Sequence, residues 1–296
     1  MNLEGKRIAV TGAAGFIGRH VVALLRAQGA LVDPWDVANV PQPLDLEDAG
    51  SVRLRLGKDA PHAIVHLAAA GVRHSAAHDP ECIAHAVRMV ATLIQTARDL
   101  DLRPRLVIAG SMAEHGDVPS PLREDSPCNP NTAYAIAKFA ATRYALAYGT
   151  NLGLPVCVAR LFGVYGPGEA PGRLFPMLMM NLKNRLPVDL SDGKQVRDFV
   201  HVSDVARVLA TLATNDHQGV VNVCTGVGIR VADAARWIAD SLGANKALLR
   251  FGAVPRSPGD QDFLVGDPSR LEKVLGWRPP QRIASGLDAS AILGGP

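Results

Sequence analysis

Several things are scarce in this chain of 296 residues. It has four cysteines, Cys82, Cys128, Cys157 and Cys224, spread far apart with no C-x-x-C pair. That spacing excludes a disulfide frame and a thiolate zinc site, and reads as reduced thiols in a cytoplasmic protein. An excess of one charge is missing too. The 31 Lys and Arg face 28 Asp and Glu, a net +3 mingled along the chain. No basic stripe for nucleic acid stands out. No apolar run approaches the ~20 residues that span a bilayer, so no membrane partner is expected. The N-terminus opens on a strand pattern without a signal-peptide signature. Repeats and low-complexity tracts are absent. What is abundant is apolar material, 48% of residues, enough for one large domain or two interleaved ones.

Apolar strand-like runs alternate with amphipathic stretches. Ile8–Val10 leads into a helical stretch over 16–28, and strand signals follow at 30–35 and 63–67. A helix is expected over 84–100, a strand over 106–109, a helix carrying Tyr134 and Lys138, and a strand over 156–161. This β-α rhythm predicts a parallel sheet with helices on both faces. The expected fold class is α/β, a Rossmann-type doubly wound parallel sheet with a smaller C-terminal α/β lobe. The sheet domain is assigned to 1–165 and the lobe to 166–296. The lobe is expected to be discontinuous, with segments near 196–228 and 261–270 returning to the first domain. Val220–Val223 is the strand expected to rejoin the main sheet.

Gly12, Gly15 and Gly18 follow the first strand with spacing G-x-x-G-x-x-G. Glycine permits a tight strand-to-helix turn and close approach of backbone to phosphate. The helix N-terminus then faces the anion. Gly12, Gly15, Phe16, Ile17 and Gly18 are therefore the candidate pyrophosphate loop. Asp36, eighteen residues after Gly18, falls at the end of the second strand and can accept both ribose hydroxyls. A carboxylate there repels a 2′-phosphate, so NAD is favoured. Asp33 competes for the role but falls inside the strand. Arg19 can tolerate a phosphate and keeps NADP open.

Tyr134 and Lys138 stand at i and i+4, on one helix face. The ammonium favours the phenolate by its charge and can bind a nicotinamide ribose. Ser111 follows the strand over 106–109, at the sheet edge where ligands bind in such folds. It can hydrogen-bond a sugar oxygen beside Tyr134. The candidate catalytic set is Ser111, Tyr134 and Lys138. His66 and His201 read as strand-end packing residues, and no metal site is expected.

With these residues the chain resembles the extended short-chain dehydrogenase/reductases of the NAD-dependent epimerase/dehydratase family, nearly end to end. The matching stretches are Thr11–Gly18, Asp45-Leu46, His66–Ala69, Ser111–Gly116, Tyr134–Lys138, Arg160–Pro167, Arg197–Val202 with Asp204, and Leu275–Trp277. The resemblance implies an adenine contact at Asp45 and Leu46 and a wall beside the cofactor at Leu67, Ala68 and Ala69. It implies a nucleotide-sugar substrate, with Ser111, Met112, Arg197 and Arg256 on the substrate side. Arg197 corresponds to an arginine near the sugar-nucleotide diphosphate, a charge-assisted contact; a salt bridge to Asp198 or Asp204 is the alternative.

Relatives that make 4-keto-6-deoxy sugars carry Asp-Glu directly after the Ser or Thr, the pair that eliminates water across C5 and C6. Here those positions are Met112 and Ala113, neither of which moves a proton, so a dehydratase is not expected. Relatives that epimerise C3 and C5 carry a cysteine in the same loop, and this loop has none. Hydride chemistry at one carbon remains. A 4-ketoreductase delivers hydride to a 4-keto sugar while Tyr134 protonates the alkoxide. A 4-epimerase removes hydride and returns it to the other face. Asn222–Arg230, Ser111–Gly116 with Glu114, and Gly266-Asp267 are similar to reductases of GDP-4-keto-6-deoxy-mannose, which favours reduction. Asp36 argues for an epimerase with tightly bound NAD. A non-catalytic NAD-binding module is the alternative from another class; the full Ser111, Tyr134, Lys138 set argues against it.

The chain also departs from the family pattern. His115 stands where Tyr precedes Gly116, Gly163 replaces Asn, and Arg88 and Ala91 occupy a helix position usually Asn-Val-x-Gly-Thr. Ser257 sits where some epimerases have a diphosphate-binding arginine, with Arg256 adjacent. Ala-rich faces over 84–97 and 133–147 imply, by the same resemblance, a homodimer through a four-helix bundle. Tight packing within one chain is the alternative.

Overall fold

The computed structural model describes residues 3–69, 81–118, 121–256 and 260–283. It divides into two compact units. The first comprises Met1–Val118, Glu124–Leu161 and Val205–Asn222; the second comprises Pro119–Arg123, Phe162–Asp204 and Val223–Pro296.

The first unit is built on a six-stranded sheet of order β2-β1-β3-β4-β5-β9. Its strands are β1 (Arg7–Thr11), β2 (Leu31–Trp35), β3 (Ala63–His66), β4 (Arg105–Ser111), β5 (Val156–Leu161) and β9 (Gly219–Val223). The pairs from β2 through β5 are parallel. The connecting helices are α1 (Phe16–Ala27), α2 (Ala49–Asp59), α3 (Glu81–Asp99) and α4 (Ala133–Asn151). Alternate strand residues Ala9, Ile64, Leu106, Ile108, Val156 and Val158 share one buried cluster with α2, α3 and α4. That is the period-two pattern of a strand with one face on a helical layer. The arrangement is the expected Rossmann-type α/β sheet. Its order reverses between β1 and β3, where open parallel sheets bind ligands at the strands' C-terminal edge.

α3 and α4 pack on each other through this cluster, with Ala86, Val90 and Leu93 on one and Ala137, Ala141 and Ala145 on the other. Small side chains let two helices approach closely. Much of the alanine read as a surface for a second copy is therefore spent inside the chain.

The second unit holds a four-stranded sheet and a two-stranded one. In the larger, β8 (Val196–His201) pairs with β6 (Gly163–Tyr165), β10 (Gly228–Arg230) and β12 (Phe263–Leu264). In the smaller, β7 (Val188–Leu190) pairs with β11 (Leu249–Phe251). Helices α5 (Leu174–Lys183) and α7 (Val231–Ser241) cover a core of Tyr165, Phe175, Leu178, Phe199 and Ile238. α8 (Ser269–Leu275) completes the set, and α6 (Val202–Leu212) belongs from Val205 onward to the first unit. Residues 205–222 belong to the first unit, whereas 196–204, 223–228 and 261–270 stay in the second because β8, β10 and β12 pair with one another. Among the described residues no helix is long and apolar enough to cross a membrane. Ser257 lies outside the described residues.

Candidate active site

The first unit gathers its candidate residues at the C-terminal ends of β1 to β4. Gly12 follows β1 with φ +64°, in the left-handed region that favours glycine. A Cβ there would lie 2.7 Å from Ala68 N, so glycine also lets the loop touch the Leu67–Ala69 segment. A Cβ on Gly18 would overlap Gly12 O, so the first turn of α1 must pack bare against the loop. Gly15 is the N-cap of α1, no side chain caps it, and the first turn holds no acid. The free N–H groups of Phe16, Ile17 and Gly18 thus form a cradle that fits an anion such as a pyrophosphate.

Asp36 directly follows β2. Its Oδ2 accepts from Ala14 N–H at 3.0 Å and its Oδ1 from Val37 N–H at 2.8 Å. The carboxylate is thereby fastened beside the glycine loop. Asp36 O also accepts from Leu44 N–H at 2.8 Å, which brings Asp45 and Leu46 to the same edge. Leu46 is buried and Asp45 exposed. Asp33 sits inside β2 and is paired with Arg55. Arg19 lies on α1, exposed.

β3 delivers His66, Leu67, Ala68 and Ala69. The Thr11 hydroxyl accepts from Leu67 N–H at 3.1 Å and Ala68 N–H at 3.2 Å, and meets His66 Nδ1 at 2.8 Å. Two donors fill both oxygen lone pairs, so the hydroxyl proton goes to Nδ1 and the ring carries its own proton on Nε2. Burial, then the charge of Lys138, pushes the His66 imidazole down to about 3. The ring is neutral at any physiological pH.

β4 ends on Ser111, which is buried and caps the short 3-10 turn Met112–His115. Its Oγ accepts from Ala113 N–H at 3.2 Å, and its own N–H donates to Glu114 Oε1 at 2.8 Å. The capping box also brings the Glu114 N–H to this hydroxyl, and among the described residues the Ser111 O–H donates to no acceptor. Thr132 caps α4 by accepting from Ala135 N–H, and Tyr134 and Lys138 follow, both half-buried. Lys138 Nζ donates to Ala109 O at 3.0 Å, tying the helix to β4. His66, Ala68, Ala69, Tyr134 and Lys138 line one narrow pocket of about 10 Å³, room for one water.

Arg197 and Arg256, expected on the substrate side, lie in the second unit. Arg197, buried on β8, is paired with Asp260 and donates to Val196 O at 2.8 Å. Its partner is neither of the two acids expected. Asp198 points to the other side of the strand and accepts from Thr225 N–H at 2.9 Å and Gly226 N–H at 2.9 Å. Asp204 holds Arg282 through two bonds of 2.8 Å. Arg256 bridges Asp192 and Asp262. Among the described residues no cluster of three His, Cys, Asp or Glu side chains could hold a metal ion.

Three residues of the site were not foreseen in it: Glu114, Arg160 and Thr142. Glu114 and Arg160 form a fully buried ion pair at 3.0 Å, and Thr142 Oγ1 donates to Glu114 Oε1 at 3.1 Å. Burial pushes the Glu114 carboxyl up, and Arg160 and these hydrogen bonds oppose the shift. The spacing Ser111-x-x-Glu114 is that of a capping box, the sequence signal that marks Glu114.

The sequence profile of the NAD dependent epimerase/dehydratase family matches residues 8–224. The chain belongs to that family. GDP-6-deoxy-D-mannose reductase of Pseudomonas aeruginosa is 29% identical over 298 residues, 96% of this chain and 95% of the reductase. The crystal structure of Thermus thermophilus UDP-glucose 4-epimerase in complex with NAD matches with a TM-score of 0.85 at 30% identity, covering 96% of this chain and 98% of the epimerase. The structure of RMD from Pseudomonas aeruginosa complexed with NADPH matches with a TM-score of 0.84 at 26% identity, covering 96% and 97%. As a member of the epimerase/dehydratase family this protein is an enzyme that works with NAD or NADP.

Proposed function

We propose that the protein transfers hydride at C4 of a nucleotide-activated sugar, and that its reaction is the reduction of a 4-keto-6-deoxyhexose. The observation that carries this reading is that Lys138, one turn beyond Tyr134 on α4, is tied to Ala109 O of β4, the strand that ends on Ser111, with Met112 and Ala113 where a dehydratase needs an acid and a base. The likeness to a GDP-6-deoxy-D-mannose reductase over nearly the whole chain supports it.

Gly12, Gly15, Phe16, Ile17 and Gly18 would hold the pyrophosphate, Asp36 the ribose hydroxyls, and Asp45 and Leu46 the adenine. Leu67, Ala68 and Ala69 would form the wall, with Tyr134 and Lys138 at the nicotinamide end. Bound there, the dinucleotide supplies hydride exchange with the sugar carbon. Tyr134 gives its phenol proton to the C4 oxygen as the carbonyl becomes an alcohol. Ser111 has an uncommitted O–H and steadies the same oxygen. Lys138 is held by Ala109 O, keeps two N–H donors for the ribose, and sets a positive charge near the phenol. Arg197 and Arg256 serve the diphosphate.

Epimerisation at C4 is the second reading, and Asp36 favours it. Its carboxylate sits by the glycine loop where a 2′-phosphate would be repelled, as suits tightly bound NAD. The deciding experiment mixes the protein with GDP-, dTDP- and UDP-4-keto-6-deoxy sugars and NADH or NADPH, and follows the absorbance of the reduced cofactor. Stoichiometric loss with one sugar is the expected result. No loss, with UDP-glucose and UDP-galactose interconverted without added cofactor, selects the epimerase. Neither activity overturns both readings.

We also propose a cytoplasmic homodimer joined through α3 and α4. Ile136 and Tyr148 on α4 are 39% and 54% exposed, and Tyr144 stacks on Tyr148 at 4.5 Å between ring centroids. Sedimentation at micromolar concentration is expected to give twice the chain mass; the single mass would overturn the dimer.

A further inference from the structure

One buried carboxylate joins the two elements that carry the reacting side chains. Glu114 Oε1 accepts from Ser111 N–H at 2.8 Å, at the end of β4. The same oxygen accepts from Thr142 Oγ1 at 3.1 Å. Thr142 lies on α4, one turn beyond Lys138 and on the same helix face. It lines the pocket that Tyr134 and Lys138 line. Oε2 accepts from Arg160 Nε at 3.0 Å, on β5, opposite Gly110 in the strand register.

A capping box does not need this arrangement. A glutamine, or a glutamate in water, closes the box equally well. Here both charged groups are buried, Glu114 with no exposed surface and Arg160 with 3%. A buried pair is a poor source of stability, because desolvation offsets the attraction. Space has also been cleared for it: a Cβ on Gly110 would stand 2.6 Å from Glu114 Oε1 and 2.9 Å from Val158 Cγ1. What the pair does secure is geometry. It fixes the Ser111 backbone, through one oxygen, to the helix that bears Tyr134 and Lys138.

We propose that Glu114 is a positioning residue for the reaction: its carboxylate, seated over Gly110 and held by Arg160, sets Ser111 in register with Tyr134. The proposal rests on the reading above that Ser111 and Tyr134 act on the sugar. Catalytic groups displaced by about 1 Å can lose a hundredfold in rate, so a single oxygen shared by the two elements bears on kcat more than on stability. Thr142→Val cuts the link to α4 and leaves the ion pair whole. Glu114→Asp keeps the charge and draws the oxygen back by one methylene.

The experiment is a double-mutant cycle with GDP-4-keto-6-deoxymannose and reduced dinucleotide as the probe pair. kcat and KM are measured for Thr142→Val and Glu114→Asp in the parent and in Ser111→Ala, with folding checked by circular dichroism. In the parent background both variants are expected to lose about tenfold in kcat, with KM unchanged. In Ser111→Ala they are expected to cause no further loss, because the group they position is gone. Equal losses in both backgrounds would mean general loosening and would overturn the proposal, as would parent kcat in both single variants. If Ser111→Ala itself keeps the parent kcat, the role of Ser111 falls and this one with it. A slow Ser111→Ala beside fast Thr142→Val and Glu114→Asp sinks the positioning role alone.

Discussion

His66 stays neutral because it is buried and because the Lys138 charge stands close by, so the pocket beside Tyr134 holds one cation and not two. Its tautomer is settled by counting: Thr11 Oγ1 has no lone pair left to accept from the ring. With His66 neutral, Tyr134 is the side chain assigned the proton transfer in the proposed site, and Ser111 the hydrogen bond beside it. Tyr134→Phe removes that proton and little else. It is expected to lower kcat by about 10²–10⁴-fold, the span of general acid–base catalysis. Cofactor affinity, read by fluorescence titration with NADH, is expected to be retained. Turnover at the parent rate would show that another group moves the proton. Much of this residue set is legible in the sequence, since local spacing governs Gly12 to Gly18, Tyr134 with Lys138, and Ser111 with Glu114. The partner of Arg197 is not. Asp260 lies 63 positions away and meets Arg197 because β12 pairs with β8, and a two-residue strand leaves no periodic trace.

The N-terminus of α1 is the element on which the proposed cofactor loop depends. It is an uncapped helix end without an acid in its first turn, so its dipole and its free N–H groups act together on an anion. The helix can approach the loop only because Gly18 presents no side chain to Gly12 O. Gly18→Val forces those two backbones apart. It is expected to weaken dinucleotide binding at least tenfold in a calorimetric titration, an effect large enough to match the loss of one charged hydrogen bond. The core around Leu25 and Val21 is expected to keep the fold. Unchanged affinity would place the pyrophosphate elsewhere. Elements of this length are what a sequence reveals best: β1, β3, β4 and β5 fall within two residues of expectation, and α1 within one. α2 was not foreseen, because only Val52 and Leu56 of its eleven residues are buried and its apolar face is short. The strands of the second unit, mostly three residues long, are set by their partners and not by local pattern.

At the scale of the whole molecule, the two units carry buried ionisable groups of opposite effect on acid stability. In the first unit His66 and His115 are held near 3 and 4 by burial, against an ordinary 6.5. Below pH 6.5 the unfolded chain takes up protons that these rings refuse, so stability is lost as pH falls toward 4. Each such proton is worth about 1.4 kcal/mol per pH unit. Glu114, raised by burial, works the other way within the same unit. In the second unit burial pushes the Glu169 carboxyl up to about 7 from an ordinary 4.5, and raises Asp198 in the same direction. As pH falls through 7 to 4.5 the folded form of that unit binds the proton first and gains stability. Two histidines against one raised carboxylate in one unit, and two raised carboxylates in the other, favour earlier loss of protection in the first unit as pH falls. Amide hydrogen exchange between pH 7 and pH 4.5, corrected for intrinsic rates, is expected to lose protection in β1, β3 and β4. The core of β8 and α7 should hold or gain. Replacing His115 with Gln removes one of the refused protons and is expected to flatten the loss in β4. Equal loss in both units, or earlier loss in β8, would mean that these buried groups do not govern which unit yields first in acid.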